Sequence, residues 1–496
     1  MRHQLATTVA EDAGVTLTLS RRALLQSLAV VGASACTGGG SPPRTASGPT
    51  SSTTSRPGGA TDLGDLLHRR LERSTFGVTP ALLVAVEKAG GFEKWLDGQI
   101  SGAPGEATAE VTSLLDAVES RLPALTDLRF ESKEERRVAG RLSRETITGR
   151  TVFGAAFGAD QLRGRVVAVL ADLLHVSSSS QPELFGICDY DHVLREGAFG
   201  RFSDLLVASA RHPAMLTFLD QASSRADGGN VPNENYAREV MELHTVGVDG
   251  GYDESDVKEL AHVLSGWSIE RQTRTFVFRN AWHDLGSLAT DGDILGWRPD
   301  TAQQGEQAGI AVLQHLATRP ATAHRLAHRF ARSFVSDTVS PGDPLVAEAA
   351  EVYLDHDTAI GPLVVHLLTS DRFEETATLM LRPPLDLVAH TLRVAGGVPA
   401  PEDLDVTLRS LVGLMYVLGQ FPYGWPAPNG YPSGSAAWSG AGAMIGRWNA
   451  MVTLGGERDV GPGAARLGMR LDPAAVGASD PAGLVSALCG PEHQVY

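Results

Sequence analysis

From Leu63 onward apolar side chains return every three and four residues, the spacing that lines one face of a helix with 3.6 residues per turn. The stretches Ala159–His175, Phe202–Ala210, Ala311–Phe334 and Leu385–Ala395 carry this pattern most clearly. Thr79-Pro80 predicts a helix start, because Thr caps well and Pro sits at the first helical position, where no N–H is needed; Leu82, Leu83 and Val86 then follow at helical spacing. Alternation with period two is nearly absent, and Thr275-Phe276-Val277-Phe278 is the best strand candidate. The pattern predicts an all-α fold, a multi-helix globular domain with long loops over 63–455. A Gly-, Ala- and Pro-rich tail over 456–496 is expected to hold one or two weak helices.

Two consecutive helices bring acidic and imidazole groups together. At 100° per residue, a helix from Asn233 to Thr245 puts Ala237, Val240, Met241 and His244 on one face and Asn235, Glu239 and Glu242 on the other. A second helix, starting near Asp253 or Ser255 and ending near Gly266, buries Val257, Leu260, Ala261 and Leu264 and leaves Glu259 and His262 on its other side. The turn Gly247-Val248-Asp249-Gly250-Gly251-Tyr252 joins them into a helical hairpin.

The N-terminal region follows a different logic. Ser20-Arg21-Arg22-Ala23-Leu24-Leu25 opens an uncharged run that ends in Ala33-Ser34-Ala35-Cys36, which resembles a twin-arginine export signal followed by a lipobox over 1–36. Its apolar run is far below the roughly 18 residues a spanning helix needs. Arg21 and Arg22 would engage the twin-arginine export machinery, and the Cys36 thiol would accept a lipid that ties the protein to the outer face of the cytoplasmic membrane. The alternative is a soluble secreted protein cleaved near Ala35. Residues 37–62 are Gly, Ser, Thr, Pro and Ala with few exceptions and cannot bury enough apolar surface to order themselves, so they read as a disordered tether.

Composition narrows the function classes. Lys and Arg number 42 against 58 Asp and Glu, a net charge of −16, which argues against nucleic acid as a partner. The 3 cysteines exclude a disulfide scaffold and a multi-cysteine zinc site. Cys188 and Cys489 fit either a bridge formed after export or two free thiols. There is no Gly-x-Ser-x-Gly elbow, His-Glu-x-x-His, P-loop or dinucleotide fingerprint.

The block Pro232-Asn233-Glu234-Asn235-Tyr236-Ala237-Arg238-Glu239-Val240-Met241-Glu242-Leu243-His244-Thr245-Val246-Gly247-Val248 resembles the bacterial family called domain of unknown function 1800. Further blocks run in the family's order: Arg73 to Pro80, His212 to Leu216, Leu264 to Trp267, His283 to Gly286, Arg319 to Ala323 and Leu418 to Gln420. The resemblance implies a fold and an export habit and no established reaction. Leu170 and Leu173 stand where the family carries Trp and His, so no role passes to that block.

Four candidate groups remain. Glu239, Glu242 and Glu259-x-x-His262 form a hard, oxygen-rich donor set suited to a divalent metal ion (Mn, Fe or Zn), with Asn235, His244, His283 and Asp284 as secondary candidates. Against it stands an ordinary charged helix surface with i, i+4 pairs, such as Arg238 with Glu242, and a hydrogen-bonded core role for His244. His283-Asp284 is equally a local turn, and His324 with His328 an ordinary amphipathic face. Tyr423, Trp425 and Tyr431, in a Pro- and Gly-rich loop, could stack on cell-wall polysaccharide or clamp the loop onto the helices. Two function classes follow: an exported, metal-dependent hydrolase acting on envelope material, or a non-catalytic cell-surface protein of polysaccharide binding or assembly.

Overall fold

The computed structural model describes residues 63–102, 107–179, 181–289, 292–300, 304–455 and 471–496; Arg21, Arg22, Cys36 and the tether over 37–62 lie outside them. Leu67–Arg458 with Ala465–Tyr496 forms one compact unit, divided from Met1–Leu66 with Asp459–Ala464, and all that follows concerns the first. Among the described residues the fold is all-α apart from one antiparallel hairpin, β1 (Trp267–Glu270) with β2 (Thr275–Phe278), in which Trp267 lies opposite Phe278. The strand expected from period two is therefore present. No helix among the described residues is long and apolar enough to cross a membrane.

The long helix α1 (Lys133–Phe157) is central. It packs against Pro384–Ala395, Gln181–Gly197 and Leu404–Leu418. Small residues make that possible. A Cβ added at Gly149 would lie 2.6 Å from Leu408 and 3.0 Å from Val118, so only glycine lets the two neighbouring helices approach this closely. Ile147, Val152 and Phe153 fill the interior beside it, fully buried. Local signals act as read: the Thr79 hydroxyl accepts from the Leu82 N–H at 3.2 Å with Pro80 just after it. The helix Glu254–Leu264 is capped by Asp253, whose carboxylate and that of Asp256 satisfy each other's backbone N–H groups.

The tail after 470 is part of this unit. Helices at Pro481–Cys489 and Pro491–Gln494 lead to a segment that pairs with the chain near Met380: the Met380 and Tyr496 backbones exchange hydrogen bonds of 3.0 Å each, and the Arg382 N–H donates to the Gln494 carbonyl at 2.9 Å. Buried Arg447 donates to the Gln494 side chain at 2.8 Å and to the Arg382 carbonyl at 2.7 Å, tying both strands down.

Candidate functional site

The hairpin does not assemble as a wheel over Asn233 to Thr245 requires. Its first arm is α-helical only at α2 (Glu234–Glu239); Val240–His244 form a π turn, closed by the Thr245 hydroxyl donating to the Val240 carbonyl at 2.7 Å. Glu242 nonetheless stays beside Glu239, and His244 stays on the buried face with Ala237, Val240 and Met241. Of the four metal candidates no three converge, and two local pairs are seen. Glu239 stands beside Glu242, burial first and that neighbour second pushing its carboxyl up, while Glu242 lies 4.0 Å from Arg238. On α3 (Glu254–Leu264), Glu259 and His262 flank Gly286, where an added Cβ would stand 3.2 Å from the carboxylate and 2.9 Å from the ring. Among the described residues no three His, Cys, Asp or Glu side chains are placed to hold a metal ion. The expected four-residue metal site is not assembled.

The secondary candidates have structural roles or none. Asn235 donates to the Leu219 carbonyl at 3.3 Å, and Asp284 accepts the Gly286 N–H at 2.8 Å in a local turn. The His283 ring stands 3.2 Å from the Ser265 carbonyl, and burial pushes its pKa down. His244 lies in the core with Ala237, Val240 and Met241, but it is not the hydrogen-bonded residue expected: both ring nitrogens are buried without a partner. Burial, followed by the Arg325, His175 and Arg329 charges, drives its pKa down to about 3. The thiols of Cys188 and Cys489 are free, and burial raises that of Cys188 to about 12, which leaves it inert.

The aromatic loop leads to a different place. Tyr423 and Tyr431 are buried, so neither is a platform facing solvent, while Trp425 is half-buried with its indole N–H on Asn429 at 2.9 Å. Instead Phe421, Tyr423, Tyr431 and Trp438 wall a cavity of about 180 Å³. Gly430 makes this clamp. At φ +68° its backbone presses on Asp172, where a Cβ would lie 2.3 Å from the carbonyl oxygen, and the next N–H, that of Tyr431, donates to the Asp172 carboxylate at 2.9 Å.

The opposite walls come from α4 (Gln161–Leu173), α5 (Pro320–Phe334) and the start of α6 (Pro384–Ala395). Its charges are unequally satisfied. Arg165 pairs with Asp386 and donates to the Tyr496 hydroxyl at 3.1 Å. Asp191 accepts from Arg195 at 2.7 Å and from the Tyr423 hydroxyl at 2.7 Å, and although burial pushes its pKa up, the Arg195 and Arg150 charges, with the Tyr423 hydrogen bond, hold it below the usual range. Asp172 goes the other way: burial raises it, and Arg329 and His175 offset this only in part. Arg329 and Arg332, both partly buried on α5, have no hydrogen bond or ion pair among the described residues. The Arg332 Nε is buried without an acceptor.

A family model described as a protein of unknown function, DUF1800, matches residues 69–491. The chain belongs to the DUF1800 family. No curated protein matches it, and no solved structure does. The DUF1800 match spans every residue lining the cavity except Tyr496. Sequence reasoning missed Asp172, Arg329, Arg332 and the Arg165–Asp386 pair. One signal was legible: Arg325, Arg329 and Arg332 stand at i, i+4 and i+7 in this DUF1800 chain, a same-sign stripe on one helical face, which is unfavourable unless something opposes it.

Proposed function

We propose that this DUF1800 chain is an exported, lipid-anchored envelope protein that binds a small ring-bearing ligand in the cavity, the binding class of the two read from the sequence. The observation that carries it is the set of four aromatic side chains, Phe421, Tyr423, Tyr431 and Trp438, turned onto a cavity whose far side bears hydrogen-bonding and charged groups. Aromatic faces stack on apolar ring surfaces while a few polar groups fix orientation. At about 180 Å³ the cavity is smaller than the roughly 300–1,000 Å³ of drug-sized pockets, so the occupant is about one sugar ring rather than a long chain. Ala168, Pro432 and Ser433, exposed at the rim, leave a way in. Location rests on Arg21, Arg22 and Cys36: the twin-arginine machinery carries the folded chain out, and the lipid on Cys36 holds it at the membrane, within reach of wall polysaccharide.

One experiment tests both halves. Protein made through its native export route is fractionated, then released by detergent and titrated with soluble wall saccharides while tryptophan fluorescence is followed. The expected outcome is membrane association lost in Cys36→Ser, and a saturable fluorescence change lost in Trp438→Ala. Membrane retention of Cys36→Ser removes the anchor, and a flat titration removes the cavity reading.

A further inference from the structure

We infer that the ligand of this cavity is an acidic, hydroxylated ring, its carboxylate or phosphate held by Arg329 and Arg332; this rests on the cavity-binding reading above. The inference begins with which charges are already used. Of the lining acids, Asp386 is engaged by Arg165, Asp191 by Arg195 and Asp160 by Arg163 at 2.6 Å. The remaining two carboxylates accept only backbone N–H groups: Asp172 from Tyr431 at 2.9 Å, and Asp337 from Ser435 at 2.5 Å. The two remaining guanidinium groups, Arg329 and Arg332, are bonded to neither.

An Arg fork in a partly dry setting is suited to bidentate contact with a planar carboxylate or a phosphate. Nothing else on α5 supplies that contact. Arg325, the third member of the stripe, donates to the Leu243 carbonyl at 2.6 Å and is occupied. The nearby imidazoles are not available to a ligand anion: His244 is neutral in its buried setting, and both ring nitrogens of His175 already face carbonyls, that of Ala171 at 3.1 Å and that of Trp425 at 2.8 Å. A ligand with one oxyanion and several hydroxyls satisfies the whole lining. The oxyanion meets Arg329 and Arg332, the hydroxyls donate to Asp172 and Asp337, and the ring face lies against Tyr431 and Trp438, whose rings are 6.1 Å apart. A neutral sugar leaves both guanidinium groups without a bonded anion, Arg329 having only the unbonded charge of Asp172. A bare anion leaves the carboxylates and aromatic walls without partners.

The test is isothermal titration of the full mature chain with glucuronate, glucose 6-phosphate, glucose and inorganic phosphate. The expected result is that at least one acidic sugar binds roughly tenfold or more tightly than glucose or phosphate, with affinity falling as salt rises. Glucuronate above glucose 6-phosphate assigns a carboxylate, and the reverse order a phosphate. In Arg329→Met and Arg332→Met that preference should fall to about the level of glucose, while Arg329→Lys should recover part of it. Arg332 makes no hydrogen bond or ion pair in the fold, so Arg332→Met should keep the wild-type melting temperature; Arg329→Met also removes the charge that offsets the burial of Asp172, and Arg329→Lys, which keeps that charge, should stay closer to wild type. Glucose binding as tightly as the acidic sugars overturns the inference and leaves the cavity reading standing. Equal binding of phosphate alone, or an acidic preference that survives both Met variants, also overturns it. No binding by any of the four overturns the inference together with the cavity reading.

Discussion

The helical hairpin and the aromatic-walled cavity hold similar numbers of charged side chains, yet they use them in opposite ways. On the hairpin, Arg238 reaches Glu234 at 3.2 Å and Glu254 at 2.8 Å, and the acids around it face solvent or one another. In the cavity, Arg165 and Asp386 are buried and spent on each other, while Arg329 and Arg332, on another wall, make no hydrogen bond or ion pair among the described residues. Acidic spacing drew attention to the first region; the unspent guanidinium groups mark the second. Spacing along a helix reports which residues share a face, and only the packing of that face decides whether their charges have work left to do.

The contrast is broken most severely by removing one member of the buried pair. Arg165→Ala strands the Asp386 carboxylate in the core and should cost about 3–5 kcal/mol, read by guanidinium chloride unfolding. A loss below about 1 kcal/mol would mean that solvent reaches the pair, and the cavity floor would be no drier than the hairpin surface.

His244, on the hairpin's π turn and within the field of Arg329, sharpens the contrast. Its ring has no hydrogen-bond partner, so His244→Leu removes an unsatisfied polar group and should add about 1–2 kcal/mol. The pH dependence has a definite sign. The folded pKa is about 3 against an ordinary 6.5, so below about pH 6.5 the unfolded chain takes up a proton that the folded chain refuses until about pH 3. Wild-type stability should fall through that window, and the Leu variant should fall less steeply. Equal acid limbs in thermal melts would show that the ring is reached by water.

The smallest effect is at Glu239→Gln. Burial, then Glu242, raises the Glu239 pKa, so the folded chain carries a penalty that is absent at low pH and complete near neutrality. Relief should be about 0.2–0.5 kcal/mol at pH 7 and vanish near about pH 4. A loss of stability on this substitution would mean that Glu239 has a partner, and the hairpin would then resemble the cavity after all.

The fold was largely legible in the sequence, because its determinants are local. The Thr79-Pro80 start, the Thr275–Phe278 strand and the Val257–Leu264 stripe depend on propensity and periodicity within a few residues. The site was not, and for two physical reasons. A π turn at Val240–His244 leaves no periodicity signature, and whether the hairpin's second arm brings Glu259 and His262 to Glu239 and Glu242 depends on packing that no wheel reports. The cavity has walls drawn from Phe76, Arg165, Arg329, Asp386, Tyr431 and Tyr496, and no local pattern announces that residues so far apart will meet. Of the aromatic loop, the clamp was readable from Tyr423 and Tyr431, while the cavity beneath it was not.

The pairing of Met380 and Arg382 with Gln494 and Tyr496 has a kinetic consequence. Tyr496 lines the cavity, and its ring lies among the guanidinium groups of Arg73, Arg165 and Arg382, at 4.6, 5.2 and 4.9 Å. That wall therefore joins residues from both ends of the folded unit, and contacts of such high sequence separation are slow to form because loop closure precedes any gain from them. The helices can appear early on the ribosome, but the cavity cannot close until residue 496 has been made and threaded into place. Ligand-binding competence should then lag behind helix formation during refolding, as a separate and slower phase.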